Sequence, residues 1–462
     1  MPSPALVLLA LVSHPVLLPQ QQDPQDREKA EIARELEEQL QFRTGESHAV
    51  QRQKLHKPVQ GSPASMRTKA WELRQQLAAE SPTKGVKWQQ IGPIQQGGRI
   101  VHIDVPAKTP GNVLVAYATG GLWQTDAAGL QWKPLFDDQS AYGIGDFDAT
   151  ADGQTIWVGT GENNSQRTSY AGTGMFVSRD AGKTWQHSGL EESHHIGKVI
   201  IDPKNPNTVW VGVLGHLYSQ NSERGVYKTA DGGKTWNQIL KLDDWTGVID
   251  MAMDPRNPNV VYACAWDRDR RAWDISESGP SSAVYKTTNG GKNWEKITAL
   301  PNGWDGGRYS IAIAPNKPDR VYLFIENQGT DPDTDKIDEF APDGRLTIRR
   351  YMRTPFDVVK QMDEDTLRPF LSRYLPSGTS ASDTAKKIKD GSMTDKALND
   401  LLLKTNPKVF DFADADSQVW RSDNGGKTWA KATPRIGVHG GYYFNRVIVD
   451  PNDADTLYTT GT

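Results

Sequence analysis

The side chains able to do chemistry in this sequence gather in short phrases, many of them glycine-rich. "GTGENNSQR" carries Glu162, Asn163, Asn164 and Arg167. "SHHIG" carries His194 and His195, "LGHLY" carries His216, and "DWTGVID" ends in Asp250. "AWDRDRR" carries Trp266, Asp267 and Arg268, while Arg99 and Arg308 each follow a Gly-Gly pair. Glu162 and Asp250 are the kind of carboxyl pair that glycoside hydrolysis needs, at a separation that sequence does not supply. Arg99 and Arg308 suit a clamp on a carboxylate, or equally a pairing with acids inside a channel. His194, His195 and His216 with Glu162 are zinc-type ligands, but their spacing matches no zinc signature. Neighbouring residues on a strand also face opposite ways, so His194 and His195 do not readily share an ion. No metal and no cofactor is expected. The expected ligand-binding set is Arg99, Asn163, Arg167, His194, His195, His216, Trp266, Arg268 and Arg308.

What must position these residues is a repeat. From Trp88 onward, short apolar runs alternate with Gly, Pro, Asn and Asp. One landmark is an apolar run, a turn such as "DPKNPN", then a second apolar run. The other is Ser/Thr-x-Asp/Asn-x-Gly-x-x-Trp, as in "SRDAGKTW". Its good copies place Ser178, Asp180, Gly182 and Trp185; Thr229, Asp231, Gly233 and Trp236; Thr287, Asn289, Gly291 and Trp294; and Ser422, Asn424, Gly426 and Trp429. A worn copy ends at Trp132. The motif tryptophans are 53, 51, 58 and 135 residues apart, the last gap holding an insertion. A period of about 50 residues with about four strands per unit predicts an all-β fold, a β-propeller. Five units and the opening of a sixth are counted. The chain stops inside the second strand of that sixth unit, so further blades are expected to complete the ring.

The repeated turn is expected to be structural. Its hydroxyl and Asp/Asn side chains can satisfy hairpin backbone groups, and its glycines fit positive φ. Asp and Asn exchange freely at its centre, which a general acid or a metal ligand would not tolerate. Both landmark turns fall on one rim, because strand direction alternates within a blade. The chemistry-bearing phrases fall on the opposite rim, and function is expected there.

The turns resemble Asp-box (BNR) repeats of sialidases, sortilin-type receptors and xyloglucan-active hydrolases. Phrases such as "ESHHIGKVIIDPKNPNTVWVG" and "ERGVYKTADGGKTW" more narrowly resemble bacterial sortilin-N-terminal-like, glycosyl-hydrolase-like propellers. That resemblance implies the propeller fold and little mechanism. Xyloglucan-active members carry a catalytic Asp in an "RTDxGG" motif. The matching segment here is "YATGGLW", with no acid before Gly120 and Gly121, so that base does not carry over.

Composition limits the rest. A net charge of -4 gives no field suited to nucleic acid, and Cys264, the single cysteine, excludes an internal disulfide. Residues 1–22 read as a signal peptide lacking its usual basic residues, so export to the periplasm or outside is expected, with no membrane span. Residues 23–82 read as a charged helical arm, with helices at Asp26–Phe42 and Met66–Ala79. Residues 83–462 read as the propeller, with a helical insertion at 328–416. The leading functional expectation is an exported module binding a peptide, protein or glycan. The alternatives are a glycoside hydrolase acting on polysaccharide and an assembly or scaffold protein using the N-terminal helices.

Overall fold

A computed structural model of the chain describes residues 61–87, 98–126, 129–273, 275–328, 346, 348, 351, 354–405, 416–433 and 441–460, and every statement below concerns these. The expected signal peptide and the helix expected at Asp26–Phe42 lie outside them. The chain divides into two compact units. The larger, residues 47–337 with 412–462, carries the β-structure.

Its β-structure is five four-stranded antiparallel sheets, a two-stranded ribbon pairing Asp269–Arg270 with Ile275–Ser276, and a final two-stranded sheet. Blade 1 runs Ile100–Asp104, Val113–Tyr117, Gly121–Thr125 and Lys133–Pro134. Blade 2 runs Ile144–Ala149, Ile156–Thr160, Met175–Ser178 and Gln186–His187. Blade 3 runs Ile196–Ile201, Val209–Val213, Gly225–Thr229 and Asn237–Leu240. Blade 4 runs Thr246–Met253, Val261–Asp267, Ala283–Thr287 and Glu295–Lys296. Blade 5 runs Gly306–Ile313, Val321–Asn327, Asp416–Ser422 and Ala430–Lys431. Arg446–Val449 and Leu457–Thr460 open a sixth unit. The first strands of successive sheets lie against one another in chain order, as propeller blades do.

The apolar runs explain the stacking. Val209–Val213, "VWVGV", is buried along its whole length because both faces of its sheet are covered. In this unit the apolar clusters bridge consecutive blades. Trp157, Met175 and Val177 of blade 2 meet Ile196, Val199 and Val211 of blade 3. Trp210 and Val226 of blade 3 meet Val248, Met251 and Ala263 of blade 4. Removing a side chain such as Trp210 should cost about 3–5 kcal/mol.

The repeated turns close their own hydrogen bonds. The Gly182 amide donates to Ser178 Oγ (2.8 Å) and the Thr184 amide to Asp180 Oδ1 (2.9 Å). In the Asn versions the Asn293 amide reaches Asn289 Oδ1 (3.0 Å) and the Thr428 amide reaches Asn424 Oδ1 (2.9 Å). Gly233 has φ +85°, and a Cβ there would meet Ser188 and Trp157 of blade 2. The indole of each central turn donates to the preceding blade's outer edge: Trp185 to the Leu135 carbonyl (2.7 Å), Trp236 to Ser188 (2.6 Å) and Trp294 to Ile239 (3.0 Å). Lys228 and Lys286 also donate forward, to the Gly290 and Gly425 carbonyls of the next turn.

Ahead of blade 1 stands helix α1 (Ala64–Glu80), close to the span expected for the second arm helix. The smaller unit, described by itself, holds α2 (Phe356–Val359), α3 (Glu364–Tyr374), α4 (Ala381–Lys389) and α5 (Asp395–Thr405). Leu398 and Leu402 are buried there with Tyr351, Phe370 and Ile388, and Leu401 packs at the edge. The residue before α2 is Pro355, in extended backbone. In chain order the unit falls between the second and third strands of blade 5, which pair directly. A short helical turn, α6 (Gly441–Phe444), precedes the sixth unit. Among the described residues no helix is long and apolar enough to cross a membrane.

Candidate functional site

Glu162 follows the second strand of blade 2, on the rim away from the repeated turns. Its side chain is fully buried and enclosed by donors. Arg99, just before blade 1, grips it with Nη2 to Oε2 at 2.7 Å, Nη2 to Oε1 at 2.8 Å and Nε to Oε1 at 3.1 Å. Ser169 Oγ donates to Oε2 (3.0 Å) and Asn164 Nδ2 to Oε1 (3.3 Å). Arg99 also lies over the Tyr443 ring of α6, 5.0 Å from its centroid. Gly161, at φ +86°, lets the chain pass against the His194 carbonyl, where any Cβ would clash.

Asp250 sits on the innermost strand of blade 4 and serves blade 5. Its Oδ2 accepts from Ser310 Oγ (2.8 Å) and from the Ile311 amide (3.1 Å). The same geometry recurs around the blades. Asp146 Oδ2 accepts from the Val199 amide (2.8 Å) and Ser310 Oγ from the Val447 amide (3.2 Å). Burial works to raise the Asp146 carboxyl, but Lys198 and His102 reverse this and hold it well below the usual range. Asp148, two residues further along the strand and partly buried, accepts from the Ile201 amide (2.6 Å). Burial lifts it to about 7 against that bond, with Asp104 adding to the rise.

The other candidates divide by depth. Asn163 ties blades 2 and 3, its amide donating to the Gly145 (2.8 Å) and Gly197 (3.1 Å) carbonyls. Arg308 Nη1 donates to Asn164 Oδ1 (2.9 Å) and to the Tyr442 carbonyl (2.8 Å). Trp266 is buried, its indole donating to the Glu277 carbonyl (2.6 Å), with Arg268 and Arg308 lying 5.4 and 5.7 Å from its ring centroid. Burial, then the charge of Arg224, lowers Arg268 to about 9; burial, then Arg446, does the same to Arg308. Trp266, Arg268 and Arg308 thus stand beneath the rim surface. Arg167 is exposed, and its carbonyl accepts from the Tyr218 hydroxyl (2.6 Å).

The histidines separate. His195 is buried, with Nδ1 2.8 Å from the Glu162 carbonyl oxygen, and burial followed by Arg268 drives it down to about 3. His194 turns away and stacks on His216, centroids 3.5 Å apart. The acid beside these two rings is Glu192, not Glu162, with Oε2 at 3.6 Å from His194 Nε2 and 3.8 Å from His216 Nε2. His194 and His195 do not alternate as strand neighbours, because both precede the strand Ile196–Ile201 and His194 has φ +53°. Such backbone costs of order 1–3 kcal/mol and persists where its surroundings hold it. Glu192, two residues before His194 in "EESHH", carries no signal of its own in the sequence, because the positive φ of His194 that sets this corner is announced by no glycine or asparagine.

The start of α1 closes over this corner. The Ala64 amide donates to Glu192 Oε1 (2.7 Å), Arg67 Nη1 lies 2.8 Å from His194 Nε2, and Arg67 Nη2 donates to the Glu191 carbonyl (3.0 Å). Gly61 lies against the His216 ring, where a Cβ would clash.

Comparison with known proteins points to enzymes of glycan breakdown. The chain is 25% identical over 325 residues to the oligoxyloglucan-reducing end-specific xyloglucanase of Emericella nidulans, covering 66% of this chain and 35% of that protein. It is 24% identical over 284 residues to a xyloglucanase of Hypocrea jecorina, covering 53% and 31%. It is 27% identical over 157 residues to a probable oligoxyloglucan-reducing end-specific xyloglucanase of Neosartorya fischeri, covering 31% and 16%. The chain therefore spans at most about a third of the length of these relatives. Among solved structures, an ancestral GH74 enzyme matches with TM-score 0.47 at 16% identity, covering 79% of this chain and 35% of that one. The GH74 enzyme of Niastella koreensis matches with TM-score 0.41 at 16% identity, covering 79% and 51%. No protein-family model matches the chain.

Proposed function

We propose that this chain is the β-propeller part of an exported, polysaccharide-directed glycoside hydrolase of the Asp-box kind, with the glycan held on the rim opposite the repeated turns. The observation that carries this reading is the sequence similarity to three xyloglucanases. Within the rim, Glu162 takes the acceptor's part. Every polar neighbour of its carboxylate is a donor, which suits a base or a nucleophile rather than the proton donor of a two-carboxyl mechanism. Asp250 is committed to the blade 5 backbone and takes a supporting part. No leaving-group acid is assigned with it: the aligned stretch covers at most 35% of each relative.

The binding-module reading, for a peptide, protein or glycan, is favoured by one observation. Both nominated carboxylates are occupied by protein donors, leaving neither as an uncommitted acid. One experiment separates the two. Full-length protein and its Glu162→Gln variant are assayed on a polysaccharide panel that includes xyloglucan, with binding measured alongside. Turnover that disappears in the variant while the fold survives supports the hydrolase. Binding to peptide or glycan without turnover on any polysaccharide supports the module and ends the hydrolase reading.

A further inference from the structure

We propose that Glu192, His194 and His216 form a site for a divalent transition-metal ion of the zinc class, gated by Arg67 of helix α1. This goes beyond the glycan reading and does not depend on it.

Three observations carry it. First, one ligand atom from each residue lies within 4.8 Å of the others, and the two carboxylate–imidazole separations are 3.6 and 3.8 Å. Bonds of about 2.0–2.1 Å in a tetrahedral zinc site space their ligands by roughly 3.4 Å, so the carboxylate closes slightly while the two stacked imidazoles splay to bring both lone pairs onto one ion. Second, His194 Nε2 presents a lone pair, and His216 Nε2 does so in the tautomer whose Nδ1–H donates to Ser219 Oγ. A guanidinium can only donate, so Arg67 Nη1 at 2.8 Å requires His194 Nε2 to accept. His216 Nε2 is buried with no hydrogen-bond partner, while its Nδ1 faces Ser219 Oγ at 2.8 Å. That outer contact is the kind that orients a metal-binding imidazole and leaves the other nitrogen to coordinate. Third, the corner already holds a cation. The Arg67 guanidinium sits on the lone pair that an ion would take, beside the Glu192 carboxylate whose other oxygen is held by the Ala64 amide.

Ion and guanidinium therefore exclude each other. Binding of the ion displaces Arg67 from His194 and from the Glu191 carbonyl, and frees the first turn of α1. Neutral imidazoles with a carboxylate favour zinc, cobalt, nickel or copper over magnesium or calcium.

The test uses the full chain with Zn2+ by calorimetry and Co2+ by visible absorption. One equivalent of Zn2+ is expected to bind, about tenfold more tightly in Arg67→Ala and about a hundredfold or more weakly in His216→Ala. Glu192→Gln and His216→Ala lie at partly exposed positions, and their near-ultraviolet circular dichroism shows whether they fold. Limited proteolysis near residues 61–67 is expected to speed up with Zn2+ in the wild type. Wild type and Arg67→Ala binding Zn2+ no better than folded Glu192→Gln and His216→Ala would overturn the site. Zn2+ binding that leaves proteolysis unchanged, with Arg67→Ala no tighter, would overturn the gating.

Discussion

Arg99 and Glu162 bind each other across the first two blades, the guanidinium a third exposed at 33% and the carboxylate at 0%. The exposed partner thus shields the buried one from water. Arg99→Ala leaves a buried carboxylate with only Ser169 and Asn164 as side-chain donors. It is expected to destabilise by about 2 kcal/mol, below the roughly 3–5 kcal/mol of a fully buried pair because Arg99 is partly solvated. Arg99→Lys should recover less than half of this, since an ammonium cannot reproduce the two-pronged grip. Thermal melts of the two variants, and of Arg99→Ala/Glu162→Gln together, measure the coupling.

Asp250→Ala removes the acceptor of both Ser310 Oγ and the Ile311 amide. An unpaired buried amide costs about 1–3 kcal/mol, so the variant should melt early while Asp250→Asn melts close to wild type. Glycan binding and any turnover should survive in Asp250→Asn. A folded Asp250→Asn protein that loses turnover completely would return Asp250 to the chemistry.

Asp148 offers a pH signature. Its carboxyl is raised from 3.8 to about 7 in the fold. With the folded value above the unfolded one, its contribution to stability is complete below the unfolded value and lost as pH climbs through 7. The loss is up to about 4 kcal/mol. Asp148→Asn keeps an oxygen for the Ile201 amide and cannot ionise. Its melting temperature should exceed that of wild type at pH 8, and the difference should shrink towards pH 4. Parallel pH profiles for the two proteins would show that Asp148 is not the group responsible.

The repeated turns predict their own tolerance. Asn289 and Asn424 make the bonds that Asp180 and Asp231 make, so Asp231→Asn should leave the melting temperature nearly unchanged. Asp231→Ala should lower it, because the Lys234 and Thr235 amides lose their acceptor. Gly233→Ala should be worse still, since its Cβ meets Trp157 and Ser188 at positive φ. Differential scanning of the three variants ranks them.

How much of this could be read beforehand follows the range of each interaction. The four-stranded sheets were legible because hydroxyl, Asx and glycine chemistry acts within five residues, and the apolar runs repeat in step with it. The gathering of Arg99, Glu162, Asn164 and Arg308 on one rim followed from strand direction alone. Who bonds whom did not. Arg99 reaches 63 residues forward to Glu162, and Asp250 reaches 61 residues forward to Ile311; both distances are set by blade stacking. The pairing of His194 with His216 and Glu192 was hidden for a different reason. It depends on a left-handed residue that no glycine or asparagine announces. The burial of Trp266, Arg268 and Arg308 was also out of reach, because a phrase on a rim does not disclose how far below the surface its side chains turn.

The indoles of Trp185, Trp236 and Trp294 all reach back to the blade before their own, to carbonyls at Leu135, Ser188 and Ile239. The direction matters when the chain is being made. A ribosome delivers blade 1 first, and each later blade emerges to find its docking carbonyl already in place on a finished neighbour. The fold can therefore grow vectorially, one unit at a time: these three turn indoles need no sequence not yet translated, while Trp157 and Trp210 are covered as the next blade arrives.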